Sequence, residues 1–172
     1  KRLTDTLNKI LNVTRLEFDK VDLNYKEFDI CRLLKSVEVF YSNSAKLNNT
    51  KISSVLQTES LIVKSDAKLL EDVLNNLVNN AVKYTQDGSI KLSAEKIVED
   101  KKDYLVIKVE DNGIGIPKEK QSLVWQEFRQ ASEGLNRSFE GTGLGLTISK
   151  KYVEMLGGEI SLESEENVGT IF

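Results

Sequence analysis

Three polar residues with helical spacing could hold a phosphate and its metal ion. Asn76, Asn80 and Lys83 are separated by four and three residues, so a helix would place them along one edge. Amide oxygens are hard ligands that suit magnesium, and a lysine ammonium binds phosphate as a point charge. The same trio could simply solvate the helix or satisfy nearby backbone groups. Taken alone, it leaves both interpretations open.

A carboxylate near two glycines could bind a nucleobase. Asp111 ends a strongly apolar run and is followed by Gly113 and Gly115. Backbone without side chains lets a flat ligand come close, and a carboxylate accepts hydrogen bonds from an amino group on a base. Because Asp-Asn-Gly is also a common turn sequence, this feature alone does not establish a site.

A third feature is the glycine cluster at residues 141–145, which precedes a predicted helix. Glycines at this position expose backbone N–H groups at the positive end of the helix, where phosphate binds. The cluster is not a P-loop, because no Gly-Lys-Ser or Gly-Lys-Thr follows. It also does not follow a strand, as a dinucleotide-binding loop would.

Two amphipathic helices are predicted between residues 29 and 87. The first begins after Asp29 as N-cap and runs toward Lys46. The second begins after Asp66 and ends before the turn at residues 87–88. It carries Asn76 and Asn80, which are called the amide row below. Its expected apolar face consists of Leu70, Val73, Leu74, Leu77, Val78 and Ala81.

The second half of the chain predicts two more helices separated by a long loop. We expect one helix at residues 118–128 after Pro117, and a mobile lid at residues 129–142, which lack a stable periodicity. A last helix follows Gly145 and ends at the glycine pair 157–158. Its side chains available for burial are Ile148, Tyr152, Val153 and Met155.

Alternating and apolar runs predict the strands. Short strands are expected at residues 52–56 and 61–64, an antiparallel pair at 90–94 and 105–109, and a final hairpin at 160–162 and 168–171. The predicted fold is an α/β (α+β) two-layer sandwich, in which helices cover one face of a mixed, mostly antiparallel sheet.

Composition narrows the possible functions. The 172 residues include 24 basic and 27 acidic side chains, and the net charge of −3 favours neither nucleic acid nor an anionic membrane as partner. The single cysteine, Cys31, is expected to fill the core in a reducing compartment. The chain has no histidine, which excludes histidine-based zinc sites and catalytic triads within it. We see no bilayer-spanning run and no secretion signal.

Four segments in order resemble the nucleotide-binding boxes of sensor histidine kinases. They are residues 76–85, 111–115, 125–130 and 141–146, and the final Gly-Thr-Ile-Phe at 169–172 resembles that family's closing strand. The resemblance covers residues 23–172 and is to the catalytic, ATP-binding domain within the GHKL superfamily. It implies a Bergerat-type ATP-binding fold with ATP and Mg²⁺ as cofactors.

The resemblance also implies roles for individual residues. Asn80 would coordinate magnesium, Asn76 would support the metal and phosphates, and Lys83 would contact phosphate. The residues expected to line the base and its wall are Tyr84, Asp111, Gly113, Gly115, Ile116 and Thr170, with Asp111 accepting from the adenine amino group and Thr170 acting through water.

The lid residues have implied roles as well. Phe128 and Arg129 would anchor and gate the lid, and Arg137 would reach the nucleotide. The segment expected to close on the phosphates consists of Gly141, Thr142, Gly143, Leu144, Gly145 and Leu146.

Residues 1–22 resemble the end of the second helix of a dimerisation and phosphoacceptor hairpin with its linker, and Leu3, Leu7 and Ile10 form the expected seam. An ordinary surface helix is the alternative. The resemblance implies phosphorylation of a histidine on such a hairpin, in the same or a sister protomer, and relay to a response-regulator receiver domain. We expect the full-length protein to be a homodimer, with this domain cytoplasmic and its parent anchored in the inner membrane.

Three rival functions remain open. In related ATPases a glutamate one helical turn before the magnesium asparagine activates water, but here that position is Asn76, whose amide cannot act as a general base. A serine kinase of the same superfamily is disfavoured by the hairpin-like segment. A module that binds ATP without transferring phosphate would use many of the same residues.

Overall fold

The computed structural model describes residues 22–126 and 143–172. In these ranges the chain forms three α-helices, α1 (Ile30–Leu47), α2 (Ala67–Tyr84) and α3 (Gly145–Met155). Its seven strands are β1 (Lys26–Asp29), β2 (Lys51–Ser54), β3 (Ile62–Ser65), β4 (Ser89–Glu99), β5 (Lys102–Asp111), β6 (Glu163–Glu165) and β7 (Gly169–Ile171). The predictions for residues 1–21 and for the lid at 129–142 lie outside the described ranges.

The strands form one five-stranded sheet and one two-stranded ribbon. In the sheet the order is β2-β4-β5-β7-β6, while β1 and β3 form the ribbon. Only β2 and β4 run parallel among the described sheet neighbours, which confirms the mixed, mostly antiparallel prediction. Ile90 pairs with Asp111, and Asp111 pairs in turn with Thr170. These three residues therefore share one face of the sheet.

That face packs against the helices to form the core. Ile90, Leu92 and Val109 are buried there together with Leu74 and Val78 of α2. The predicted apolar face of α2 is confirmed with one correction, since Leu69 is buried and Leu70 is only half-buried. The difference is one position in the first turn, where the helix turns Leu69 inward.

The other face of the sheet has a charged surface. Lys91 and Glu110 form a cross-strand ion pair at 3.2 Å, and Lys108 lies 3.8 Å from Glu95. Exposed pairs of this kind add little stability. The charged pairs leave this face in contact with water, while the helices cover the opposite face. The described fold therefore has two layers, one of helices and one of strands.

The hairpin of β4 and β5 extends past its neighbours. β2 pairs with β4 as far as Leu92, and β7 pairs with β5 at Glu110 and Asp111. The remaining part, residues 93–108, is called the β4–β5 arm below. Its turn residues Asp100 and Lys101 both have positive φ, as a tight two-residue hairpin turn requires.

Two sequence predictions were wrong in detail. In place of the predicted single helix, residues 118–126 form two 3-10 turns, at Lys118–Lys120 and Leu123–Trp125. Tertiary contacts account for this break, since Gln121 donates its amide to the carbonyls of Ile116 and Ser164. The final hairpin is confirmed, but its first strand begins at Glu163 and does not include residues 160–162.

No helix in the described ranges is long and apolar enough to cross a bilayer.

Asp29 and Asp66 are the N-caps of α1 and α2, as predicted. Asp66 is buried and accepts from the N–H groups of Lys68 at 3.0 Å, Leu69 at 3.1 Å and Asn24 at 2.9 Å. Burial raises the pKa of Asp66, but these donors outweigh it and hold the pKa below its ordinary value. The carboxylate therefore fixes the start of the helix that carries the amide row.

We predict that Asp66→Ala lowers the free energy of unfolding by about 1–2 kcal/mol, because three N–H groups lose their acceptor. Asp66→Asn is the matched control and should retain most of the stability. Since the folded-state pKa of Asp66 is lowered, its contribution is present above the unfolded pKa and is lost as pH falls through the folded pKa. Urea unfolding at neutral and acidic pH measures both effects, and an equal loss at both would contradict the ionised cap.

Candidate nucleotide-binding site

The amide row of α2 faces the beginning of α3. Asn76 and Asn80 are half-buried at the edge of the α2 apolar face. A side-chain Cβ placed on Gly145 would lie 3.5 Å from Asn76 Oδ1, so the glycine brings the α3 backbone close to this amide. The structure thus brings together two of the predicted features, the amide row and the glycine-rich helix start.

The first turn of α3 can accept an anion. Leu144 occupies the N-cap position, makes no side-chain capping bond and is fully buried. Gly143 before it has φ +67°, a conformation that glycine adopts easily. Leu146 packs partly buried against the core. Leu144 has no side-chain acceptor for the N–H groups of this turn, which are groups of the kind that bind phosphate at helix starts.

Lys83 and Tyr84 lie at the opposite end of the amide row. The Lys83 Nζ donates to the Tyr84 hydroxyl at 3.0 Å and lies 4.7 Å from the centroid of that ring. Both residues are half-buried. The pair therefore presents a cation and an aromatic side chain at the C-terminal end of α2.

Asp111 lies at the end of β5 with its carboxylate buried. Its Oδ1 accepts from the N–H of Gly113 at 3.0 Å. Burial raises the pKa of Asp111 above its ordinary value, and the repulsion of Glu110 adds to this rise, while the backbone N–H groups of Gly113 and Thr170 oppose it. A largely dehydrated acceptor of this kind suits an amino group on a base.

The glycines after Asp111 are required by close packing. A Cβ on Gly113 would collide with the Tyr84 carbonyl, and one on Gly115 would collide with the Glu165 carbonyl. Gly115 also has φ +65°. These contacts hold the loop between the end of α2 and the β6–β7 hairpin.

Ser164 connects this loop to Thr170. Its Oγ accepts from the N–H of Ile116 at 2.8 Å and donates to the Gly169 carbonyl at 2.8 Å. It also lies 2.9 Å from Thr170 Oγ1. Since a serine hydroxyl has one proton, Thr170 must donate to Ser164 in this contact. The Thr170 hydroxyl is thereby left as an acceptor toward the site.

Two polar residues of the site were missed in the sequence, the half-buried Ser164 and the buried Thr85. Ser164 pairs with Thr170 across the β6–β7 hairpin, so the correct register of that hairpin would have identified it. Thr85 follows α2 directly and is almost fully buried. Its polar type offered no signal, because a threonine between a helix and a turn is usually exposed.

The predicted residues Phe128, Arg129, Arg137, Gly141 and Thr142 lie outside the described ranges. In the part of the chain that the structure describes, no group of three or more His, Cys, Asp or Glu side chains could hold a metal ion. The amide oxygens of Asn76 and Asn80 nevertheless fit magnesium, which commonly takes few protein ligands and completes its shell with phosphate oxygens and water.

A family model matches this combination of fold and site. Residues 65–172 match the family described as histidine kinase-, DNA gyrase B-, and HSP90-like ATPase. This range includes the amide row, Asp111 and its glycines, the start of α3 and Thr170. The chain belongs to this family.

Individual relatives narrow the class to the catalytic domain of sensor histidine kinases. The whole chain is 37% identical to the autoinducer 2 sensor kinase/phosphatase LuxQ of Vibrio cholerae, and spans 20% of that protein. The structure of full-length ShkA in complex with AMPPNP aligns with 99% of this chain, and the aligned part is 35% of the ShkA chain. The TM-score is 0.88 and the sequence identity is 26%. The catalytic domain of the histidine kinase ThkA aligns with 87% of this chain, and the aligned part is 92% of the ThkA chain. The TM-score is 0.71 and the sequence identity is 30%. The chain is an ATP-binding catalytic domain of this kind.

We predict that Asp111→Asn weakens ATP binding roughly 10- to 100-fold, because a charged acceptor is replaced by a neutral one. Stability should stay the same or rise, since a raised carboxyl pKa means that ionisation disfavours the folded state above that pKa. Calorimetric titration and thermal unfolding measure the two effects.

The matched control is Glu110→Gln. Glu110 precedes Asp111 on β5 but faces the hydrated side of the sheet, where it pairs with Lys91. This variant should bind ATP as the unaltered chain does. Equal losses of affinity in the two variants would refute a specific role for Asp111.

Proposed function

We propose that this domain holds MgATP between α2, the loop after Asp111 and the start of α3, and presents its γ-phosphate to a histidine on a phosphoacceptor hairpin. The histidine must come from outside residues 1–172, because these contain none. The phosphate would then pass to an aspartate of a response regulator. Residues 23–172 form the catalytic domain in this proposal, and residues 1–22 the end of the hairpin and the linker.

The observation that carries the proposal is the approach of Asn76 to the uncapped start of α3. An amide oxygen and the first turn of α3, which has no side-chain cap at Leu144, meet where a Cβ on Gly145 would lie 3.5 Å from Asn76 Oδ1. Metal ligand and anion-binding donors are therefore adjacent, as a metal–phosphate unit requires. Asp111 and Thr170, paired on adjacent strands, provide the acceptors for a base.

The site residues are assigned separate roles toward the metal, the phosphates and the base. Asn80 is assigned to the metal, Asn76 to the metal and phosphates, and Lys83 to phosphate as a cation. Bound magnesium supplies charge neutralisation at the phosphates. Tyr84 and Ile116 are assigned to the walls of the base pocket, the glycine segment 141–145 to the phosphates, and the lid residues Phe128, Arg129 and Arg137 to closure over them.

This chemistry needs no base within the domain. A neutral imidazole is already a nucleophile, so the reaction depends on in-line positioning of the γ-phosphate and on electrostatic stabilisation. Asn76 cannot activate water by removing a proton, which disfavours rapid hydrolysis as the main activity. The sensor kinase/phosphatase LuxQ and the histidine kinase ThkA, named above, agree with transfer to a protein.

Relatives also support the proposed partners. The structure of ThkA in complex with the response regulator TrrA matches 99% of this chain and 46% of its own length, at TM-score 0.75 and 27% identity. From this complex we infer that a receiver domain is a partner of the full-length protein. The cytoplasmic location, the membrane-anchored parent and the homodimer belong to the same proposal.

The deciding experiment incubates the full-length parent protein with γ-labelled ATP and magnesium, and tests the stability of protein-bound label in acid and base. Acid-labile, base-stable label identifies phosphohistidine and supports the kinase. Release of free phosphate without labelled protein would favour an ATPase. Nucleotide binding with neither product would instead indicate a nucleotide-dependent interaction module.

We predict that Asn80→Ala weakens ATP binding roughly tenfold or more when magnesium is present and much less in EDTA, because the amide acts through the metal. Asn79→Ala is the matched control, since Asn79 is the adjacent, exposed asparagine of α2. Calorimetry with and without magnesium measures the difference. Equal losses under both conditions would argue against Asn80 as a metal ligand.

A further inference from the structure

Thr85 is a buried hydroxyl beside the base pocket that the nucleotide chemistry above does not use. It follows the last residue of α2 and is 1% exposed. Its carbonyl accepts from Thr50 Oγ1 at 3.2 Å, which fixes its backbone. Its own Oγ1 has no hydrogen-bond partner of standard geometry among the described residues. Buried hydroxyls are rarely left in this state, and exceptions concentrate where a ligand or a charge completes them.

The orientation of Thr85 directs this hydroxyl toward Asp111. A Cβ on Gly88 would lie 2.7 Å from Thr85 Cγ2, whereas one on Gly113 would lie 2.8 Å from Thr85 Oγ1. The methyl group therefore faces Gly88 and the hydroxyl faces Gly113. Because Gly113 N–H donates to Asp111 Oδ1, the hydroxyl and the carboxylate are neighbours around one glycine.

We propose that Thr85 is a positioning residue for Asp111, whose hydroxyl donates to the carboxylate and holds it ionised and oriented toward the base. The proposal rests on the function proposed above, in which Asp111 receives the adenine amino group. Thr85 touches neither the metal nor the phosphates in this role. It acts on the nucleotide only through Asp111.

The groups around Asp111 agree with this role. Burial raises the pKa of Asp111, while the N–H groups of Gly113 and Thr170 and the nearby Thr85 hydroxyl lower it. Glu110 on β5 raises the pKa by charge repulsion. From β4 the carboxylate is opposed by the apolar Ile90, and at the end of α2 the ionisable Lys83 and Tyr84 bond to each other.

The test compares Thr85→Val, which removes the hydroxyl but keeps the shape, with Thr85→Ser, which keeps the hydroxyl. In the nucleotide-free chain, carbon-detected NMR follows the Asp111 carboxyl, assigned with Asp111→Asn. We expect the valine variant to raise the titration midpoint by roughly half a pH unit or more, because a donor to the charged form is lost. The serine variant should titrate as the unaltered chain does.

Nucleotide affinity measured against pH gives the second readout. Binding should fall as pH decreases through the pKa of Asp111, and Thr85→Val should shift this fall to higher pH by the same amount, which reduces affinity near that pH roughly two- to threefold for a shift of about half a unit. A purely structural role for Thr85 would change the unfolding temperature and leave the pH profile in place.

The outcomes are separable. An unchanged Asp111 midpoint in Thr85→Val overturns the proposal, even if affinity falls. If the valine variant does not fold, Thr85→Cys takes its place, since a thiol is a much weaker donor. Should the unaltered chain bind no nucleotide, the proposed function fails, while the titration still decides whether Thr85 controls Asp111.

Discussion

The dehydration of one carboxylate, Asp111, organises the proposed nucleotide site of this domain. An ionised group removed from water must be given other donors. They come from the loop after β5, from β7 and from the residue after α2, which brings three separate elements to one point. Gly113, Gly115 and Gly169 follow from the same constraint, because each lies against a carbonyl in this region and leaves no space for a side chain. Protein donors thus replace water around Asp111, and the elements that carry these donors form the pocket.

Helix α2 unites the core and the site. Its apolar face packs under the sheet, and the edge of that face carries the asparagines, so any shift of the helix moves both. The buried cap at Asp66 and the close approach of Gly145 restrain it at different points. In the proposed function Asn76 of this row favours transfer over hydrolysis, because an amide can orient phosphate oxygens but cannot deprotonate water.

Local chemistry determined which elements were predictable. The capped helices α1 and α2 and the alternating strands β4 and β5 follow from short-range pattern, and these elements also carry the amide row and Asp111. The 3-10 turns of residues 118–125 were not predicted, because the contact of Gln121 with the Ser164 carbonyl is remote in sequence. Thr85 and Ser164 escaped prediction for the same reason, since their importance arises from neighbours that meet only in the fold.

The tip of the β4–β5 arm lies apart from Asp111 and its glycine loop. Its outer edges continue past β2 and β7, and charged pairs such as Lys96 with Asp103 at 2.6 Å discourage other chains from adding strands there. The turn at Asp100 and Lys101 is exposed, and it lies about ten residues along β5 from Asp111. The arm therefore offers a natural point for grafting a fluorescent reporter or an epitope, because its tip can be lengthened without disturbing the layers that enclose the nucleotide.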